Sequence, residues 1–86
     1  MIEKDVIIGV QPGLQARPAA IFVQKANNYA SEIFIEKGTK RINAKSIMGL
    51  MSLALANGTE IKLIADGPDD EDALRDLIEF VENDQQ

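Results

Sequence analysis

The chain has 86 residues, no cysteine, no histidine and a formal net charge of −5. This length suits one small domain, and we expect residues 1–86 to form it. The missing cysteine and histidine exclude disulfides, thiol chemistry and a zinc site of the usual ligand types, and we expect neither a metal nor another cofactor. No apolar run reaches membrane-spanning length and no signal-peptide pattern begins the chain, so we expect a soluble cytoplasmic protein without a membrane partner.

The charges are unevenly distributed. Residues 66–86 carry nine acidic side chains and one basic side chain, a net charge of −8, whereas residues 1–65 carry a net charge of +3. The acidic segment is typical of the solvated face of a last helix. The basic remainder could handle an anion, but its charges are too dispersed, and its aromatic residues too few, for a nucleic-acid-binding surface. We therefore expect no direct contact with nucleic acid.

The sequence predicts seven elements. In chain order they are a strand over 6–10, a helix from Pro18 to Asn27, strands over 32–36 and 40–43, a helix over 47–56, a strand over 59–65 and a helix capped by Asp69. The strands are assigned from β-rich or alternating apolar residues that end at turn residues. The helices are assigned from apolar residues that recur at helical spacing, and in the last helix these are Ala73, Leu74, Leu77, Ile78 and Val81.

Local residues predict where the helices begin and end. Pro18 suits a first turn, because an amide there has no helical partner in any case. Asn57 and Gly58 are typical of a helix C-terminus. Asp69 suits an N-cap, with Asp72 three residues further on. Because strands that alternate apolar and polar residues need one covered face, and helices can cover it, this order predicts a two-layer α+β sandwich.

Residues 13–20, Gly-Leu-Gln-Ala-Arg-Pro-Ala-Ala, resemble the active-site segment of the HPr family, the phosphocarriers of the bacterial sugar phosphotransferase system. In that family a histidine in the place of Gln15 carries a phosphoryl group. An amide cannot do so, because its nitrogen lone pair is delocalised. The resemblance implies an open-faced two-layer sandwich in the order β-α-β-β-α-β-α, with three helices on one face of a four-stranded antiparallel sheet. Gln15 marks a lost phosphocarrier position.

A second segment, residues 43–51 with the sequence Asn-Ala-Lys-Ser-Ile-Met-Gly-Leu-Met, resembles the regulatory serine site of HPr proteins from Gram-positive bacteria. The resemblance covers nearly the whole chain. Ser46 together with Gln15 is the pattern of the catabolite-repression branch of the family. It implies that HPr kinase/phosphorylase phosphorylates Ser46, and that the modified protein then binds the catabolite control repressor, a transcription factor of the lactose-repressor type.

Ser46 and the apolar residues after it have a structural and a functional interpretation. A serine before an apolar helical run is a good N-cap by itself. Methionines in such a run either fill gaps in the core or form an adaptable docking surface, and the resemblance favours docking. The residues that we expect to contact a regulatory partner are Gln15, Arg17, Ala20, Lys45, Ile47, Met48 and Met51.

Basic residues near the two motifs have similar alternatives. Arg17 matches the arginine that helps to hold the histidine phosphate in carrier HPr proteins. Without that histidine, we expect its planar guanidinium to pair with a carboxylate or phosphate of the partner, and the alternative is an exposed first-turn residue. Arg17, Lys40, Arg41 and Lys45 are candidates to balance part of the charge of a phosphate on Ser46, and the alternative for the three after Arg17 is ordinary surface charges.

The leading functional hypothesis is a regulatory adaptor of carbon catabolite repression that acts as a corepressor and is not an enzyme. One alternative is an adaptor that regulates a metabolic enzyme in its unphosphorylated form, and another is a phosphocarrier with a different acceptor. For the oligomeric state we expect a monomer, with a strand-swapped homodimer as the alternative, because residues 11–13 form a short hinge after the first strand.

Overall fold

In a computed structural model that describes residues 1–9, 16–53 and 55–82, the chain forms four strands and three helices. In order these are β1 (Ile2–Ile7), α1 (Ala16–Asn27), β2 (Glu32–Lys37), β3 (Lys40–Asn43), α2 (Ile47–Ser52), β4 (Glu60–Asp66) and α3 (Asp70–Glu82). The strands form one antiparallel sheet in the order β1-β4-β2-β3, and the helices pack on one of its faces. The predicted element order and the α+β sandwich are confirmed.

The core lies between the helices and one face of the sheet. Strand register places Val6 opposite Ile61 and Ile35 opposite Leu63, so that alternate apolar side chains meet on the covered face. The helices contribute the remaining buried apolar side chains, among them Ala19, Phe22, Ala26, Leu50, Ala73, Leu74, Leu77 and Val81. No helix in the described part of the chain is long and apolar enough to cross a membrane.

The outer face of the sheet carries charges around a small apolar spot. Arg41 Nε donates a hydrogen bond to Glu36 Oε2 at 2.9 Å, and the guanidinium lies 5.1 Å from the centre of the Phe34 ring. Ile64, which is opposite Phe34 in the register, is buried on this outer face. Burial in β4 therefore does not follow simple alternation, because Ile64 is buried as well as Ile61, Leu63 and Ala65.

The first strand occupies Ile2–Ile7 rather than the predicted 6–10. Charged residues at positions 3–5 concealed its beginning, because β1 is an edge strand whose side chains there are exposed. The strand ends early because the chain turns towards α3, where the Gly9 N–H donates to the Val81 carbonyl at 2.8 Å. A Cβ atom on Gly9 would lie 2.2 Å from the Glu82 carbonyl oxygen, so this close approach requires glycine.

Helix α2 ends at Ser52, not at residue 56 as the apolar run predicted. The carbonyl of Leu53 accepts a hydrogen bond from Lys37 Nζ at 2.9 Å, which satisfies the end of the helix, and Leu55 is fully buried beyond it. Asn57 and Gly58 therefore form a turn into β4 rather than a helix C-terminus, with Gly58 at a φ of 90° that favours glycine.

Asp69 precedes α3 as predicted, but its carboxylate does not cap that helix. One oxygen accepts from the Ala30 N–H at 2.9 Å, and the other accepts from the Ser31 N–H at 3.0 Å and the Ser31 hydroxyl at 2.5 Å. The carboxylate therefore holds the segment before β2 against the start of α3. The Ser31 hydroxyl, followed by the Ala30 amide, stabilises the charged carboxylate and lowers the pKa of Asp69.

We expect Asp69→Asn to reduce stability in a pH-dependent manner. Because the folded-state pKa lies below the ordinary 3.8, the carboxylate contributes its stabilisation fully above that value and loses it as pH falls through the lowered pKa. The difference in unfolding free energy between wild type and variant should therefore shrink as the pH falls below 3.8. Urea denaturation from neutral pH down to about pH 3 measures it.

Glu71→Gln is the matched control for this prediction. It removes a charge from the same first turn of α3, where the Glu71 side chain is exposed and makes no bond to the segment before β2. We expect its difference from wild type to stay small across the pH range. If the difference in unfolding free energy between wild type and Asp69→Asn stayed constant down to the lowest pH, this would contradict a stabilising role of the Asp69 carboxylate.

Candidate functional site

Ser46 is the N-cap of α2. Its backbone is extended, with φ −112° and ψ 114°, and its Oγ accepts a hydrogen bond from the Gly49 N–H at 3.1 Å. The turn before it is held by Asn43, whose side-chain oxygen accepts from the Lys45 N–H at 2.8 Å. The capping interpretation is thereby confirmed. In this bond the hydroxyl is an acceptor, so its own hydrogen is not used in capping the helix.

The exposed face of α2 is apolar. Met48 is 81% exposed, Met51 is 53% exposed and Ile47 is 37% exposed, whereas Leu50 is fully buried. The interpretation of the methionines as core fillers is therefore wrong. We call Ser46 and these three exposed residues the α2 patch. Its arrangement can place a modified hydroxyl directly beside an apolar surface that a partner would cover.

Lys45 and Arg41, two of the candidate counter-charges for Ser46, already have partners. Lys45 Nζ donates to the Tyr29 carbonyl at 2.8 Å, which ties the loop before α2 to the segment that follows α1. Arg41 pairs with Glu36 on the outer face of the sheet, and its use as a counter-charge stays a prediction. A partner contact for Lys45 stays a prediction. To pair with a phosphate on Ser46, Lys45 and Arg41 would have to share or give up these bonds.

The first turn of α1 presents Arg17 to solvent. Its guanidinium makes no hydrogen bond or ion pair with any residue in the described ranges. Ala20 is half-buried one turn further on, and α1 packs against α2. Gln15 lies outside the described residues. The roles of Gln15, Arg17 and Ala20 in partner binding therefore stay predictions.

A polar cluster that joins α1 and the segment after it to α3 was not predicted from the sequence. The Tyr29 hydroxyl donates to Asp76 Oδ2 at 2.8 Å, and Lys25 Nζ lies 3.4 Å from Asp76 Oδ1. The hydrogen bond to the Asp76 carboxylate, followed by burial, raises the pKa of Tyr29. No local pattern joins residues so far apart in sequence. Among the described residues, no group of His, Cys, Asp or Glu side chains is placed to hold a metal ion.

Comparison with known proteins assigns the family. Residues 2–83 match the family described as "PTS HPr component phosphorylation site". The chain belongs to the HPr family. It is 58% identical to the HPr-like protein Crh of Halalkalibacterium halodurans, covering 95% of this chain and 98% of that protein. It is 54% identical to the HPr-like protein Crh of Bacillus subtilis, covering 95% and 96% respectively.

Solved HPr-family structures share the fold. The crystal structure of HPr from Thermoanaerobacter tengcongensis superposes with a TM-score of 0.92 at 48% identity, covering 95% of this chain and 92% of that one. The crystal structure of the catabolite repression protein Crh of B. subtilis superposes with a TM-score of 0.77 at 52% identity, covering 100% and 95%. That protein forms a dimer with a swapped domain.

We expect Ser46→Ala to lower the unfolding free energy by about 1 kcal/mol, because the Gly49 amide loses its cap acceptor. Ser52→Ala is the control in the same helix, since its hydroxyl is exposed and donates to the Gly49 carbonyl at 2.7 Å. For Ser52→Ala we expect a change within about 0.5 kcal/mol. Thermal and urea unfolding measure both, and equal losses would contradict a specific cap at Ser46.

Proposed function

We propose that this protein is a regulatory phosphoprotein of carbon catabolite repression. HPr kinase/phosphorylase phosphorylates Ser46 in the cytoplasm, and the modified protein binds the catabolite control repressor as its corepressor. Two relatives at 58% and 54% identity that carry the name Crh support the regulatory branch of the HPr family. The protein acts through binding and has no catalytic role of its own.

The observation that carries this proposal is the position of Ser46 at the edge of an exposed apolar surface. A phosphate there adds a charge of about −2 and strong acceptor oxygens. The Gly49 amide already points at Ser46 Oγ, so a phosphorylated serine keeps an acceptor in its place. A partner that offers arginine or lysine beside an apolar socket would bind the modified surface and discriminate against the unmodified one.

A transport role has no phosphoryl acceptor at the matching position. Gln15 has no nucleophilic nitrogen, and the chain contains no histidine or cysteine to replace it. A carrier using another acceptor is tested by incubation with phosphoenolpyruvate and the first enzyme of the phosphotransferase system. We expect no label, and stable labelling would restore the carrier hypothesis.

A second candidate function is an adaptor that regulates a metabolic enzyme without modification. The α2 patch favours it, because Met48 and Met51 are exposed while Ser46 is unmodified. The two functions differ in the form that binds. Capture of one enzyme by Ser46→Ala and by unmodified wild type, but not by the phosphorylated protein, would support this adaptor.

We also propose that the protein is a monomer able to form a strand-swapped homodimer. The swapped-domain dimer of B. subtilis Crh, at 52% identity, supports the dimer. Light scattering over a wide concentration range tests it. A monomer mass at every concentration would count against exchange.

We expect HPr kinase/phosphorylase and ATP to add one phosphate, on Ser46, and to strengthen repressor binding by at least about tenfold. The reason is the new pairing of the phosphate with basic groups of the partner. Mass spectrometry maps the phosphate, and calorimetry with the repressor measures the affinity. Ser46→Ala should abolish both effects, whereas Ser52→Ala should keep them. Equal affinities of the two forms of wild type would defeat the proposal.

We expect Arg17→Ala to weaken repressor binding by the phosphorylated protein by about tenfold, because a charge-assisted hydrogen bond is lost. Its exposed guanidinium needs no rearrangement to reach a partner. Lys25→Ala is the control on the same helix, since Lys25 is paired with Asp76. Calorimetry with both variants decides the matter. The same affinity for Arg17→Ala and wild type would remove Arg17 from the interface.

A further inference from the structure

The oxidisable side chains of this protein are concentrated on the α2 patch. The chain has no cysteine, histidine or tryptophan, so its three methionines are the residues that mild oxidants attack first. Met48 and Met51 lie three residues apart on α2 with exposures of 81% and 53%. Met1, with an exposure of 71%, lies outside the patch at the start of the chain, and its amino group lies 3.5 Å from Asp70.

We propose that Met48 and Met51 form a second modification site, at which oxidation by a peroxide blocks docking at the α2 patch. In each reaction the thioether sulfur attacks one peroxide oxygen, the O–O bond breaks, and water or an alcohol leaves with the transferred proton. The product is methionine sulfoxide, which methionine sulfoxide reductases return to the thioether. The effect on docking rests on the proposed function.

Oxidation at these two positions acts on binding and not on folding. Leu50 in α2 and Leu53, just beyond the helix, are buried and hold this segment to the core. The cap bond from the Gly49 N–H to Ser46 involves neither methionine. A sulfoxide oxygen at Met48 therefore enters solvent in the free protein and costs the fold little.

In a complex the same oxygen is unfavourable. A partner that covers the patch would take each thioether into an apolar contact, and a sulfoxide there is a polar group that loses its water. Burial of an unsatisfied acceptor opposes binding, so the sulfoxide counteracts the phosphate a few residues away. Phosphorylation of Ser46 and oxidation of the methionines would then change the affinity of the α2 patch for its partner in opposite directions.

The test compares each protein with itself before and after dilute hydrogen peroxide. Phosphorylated wild type should bind the repressor at least about tenfold more weakly after oxidation, and treatment with both stereospecific sulfoxide reductases should restore binding. The double variant Met48→Leu/Met51→Leu should show the same affinity before and after treatment, whatever that affinity is. Met1 is oxidised in both proteins and controls for general damage.

Two measurements keep the outcomes distinct. If untreated phosphorylated wild type does not bind the repressor, the proposed function has failed. Peptide mapping of methionine oxidation still tests the modification site by itself. Met48 should then be oxidised at least as fast as Met1, with the unfolding midpoint unchanged. Slower oxidation of Met48 than of Met1, or unchanged repressor affinity with both patch sulfoxides formed, would overturn this inference.

Discussion

The burial of Leu50 determines what the candidate site presents to a partner. Helix α2 has only six residues, and one turn of it must reach the core to be held at all. With Leu50 and the adjacent Leu53 directed inward, the geometry of the helix turns Met48 and Met51 outward. The apolar surface beside Ser46 is thus a consequence of how a very short helix is anchored.

Two acidic residues, Asp69 just before α3 and Asp76 within it, support this arrangement through hydrogen bonds. Asp69 holds the backbone at Ala30 and Ser31, and Asp76 holds the Tyr29 hydroxyl. The Tyr29 carbonyl in turn accepts from Lys45, the residue before the capping serine. The segment between α1 and β2 therefore links α3 to the start of α2 through hydrogen bonds. Part of the negative charge that the sequence assigns to a solvated face serves to position the site.

The sequence predicted the order of the elements because periodicity and turn residues are local properties. It failed where distant contacts decide. Charged residues before Val6 concealed the start of an edge strand. A mostly apolar run concealed the point where the chain leaves α2 to bury Leu55. Asp69 had two competing uses, a nearby helix terminus and a distant loop, and only the folded chain shows which one its carboxylate takes. The exposure of Met48 likewise follows only from the folded chain, which shows that Leu50 is the residue of α2 that is buried.

The capping and regulatory interpretations of Ser46 describe one geometry. An N-cap needs an oxygen that accepts a backbone amide, and a phosphoserine can supply such an oxygen from its phosphate. The modification would therefore leave α2 anchored by Leu50 and would alter mainly the charge at its edge. A partner would then meet a surface of unchanged shape and changed electrostatic potential. Discrimination between the two forms therefore has to come from the partner's basic groups and not from a rearrangement of this fold.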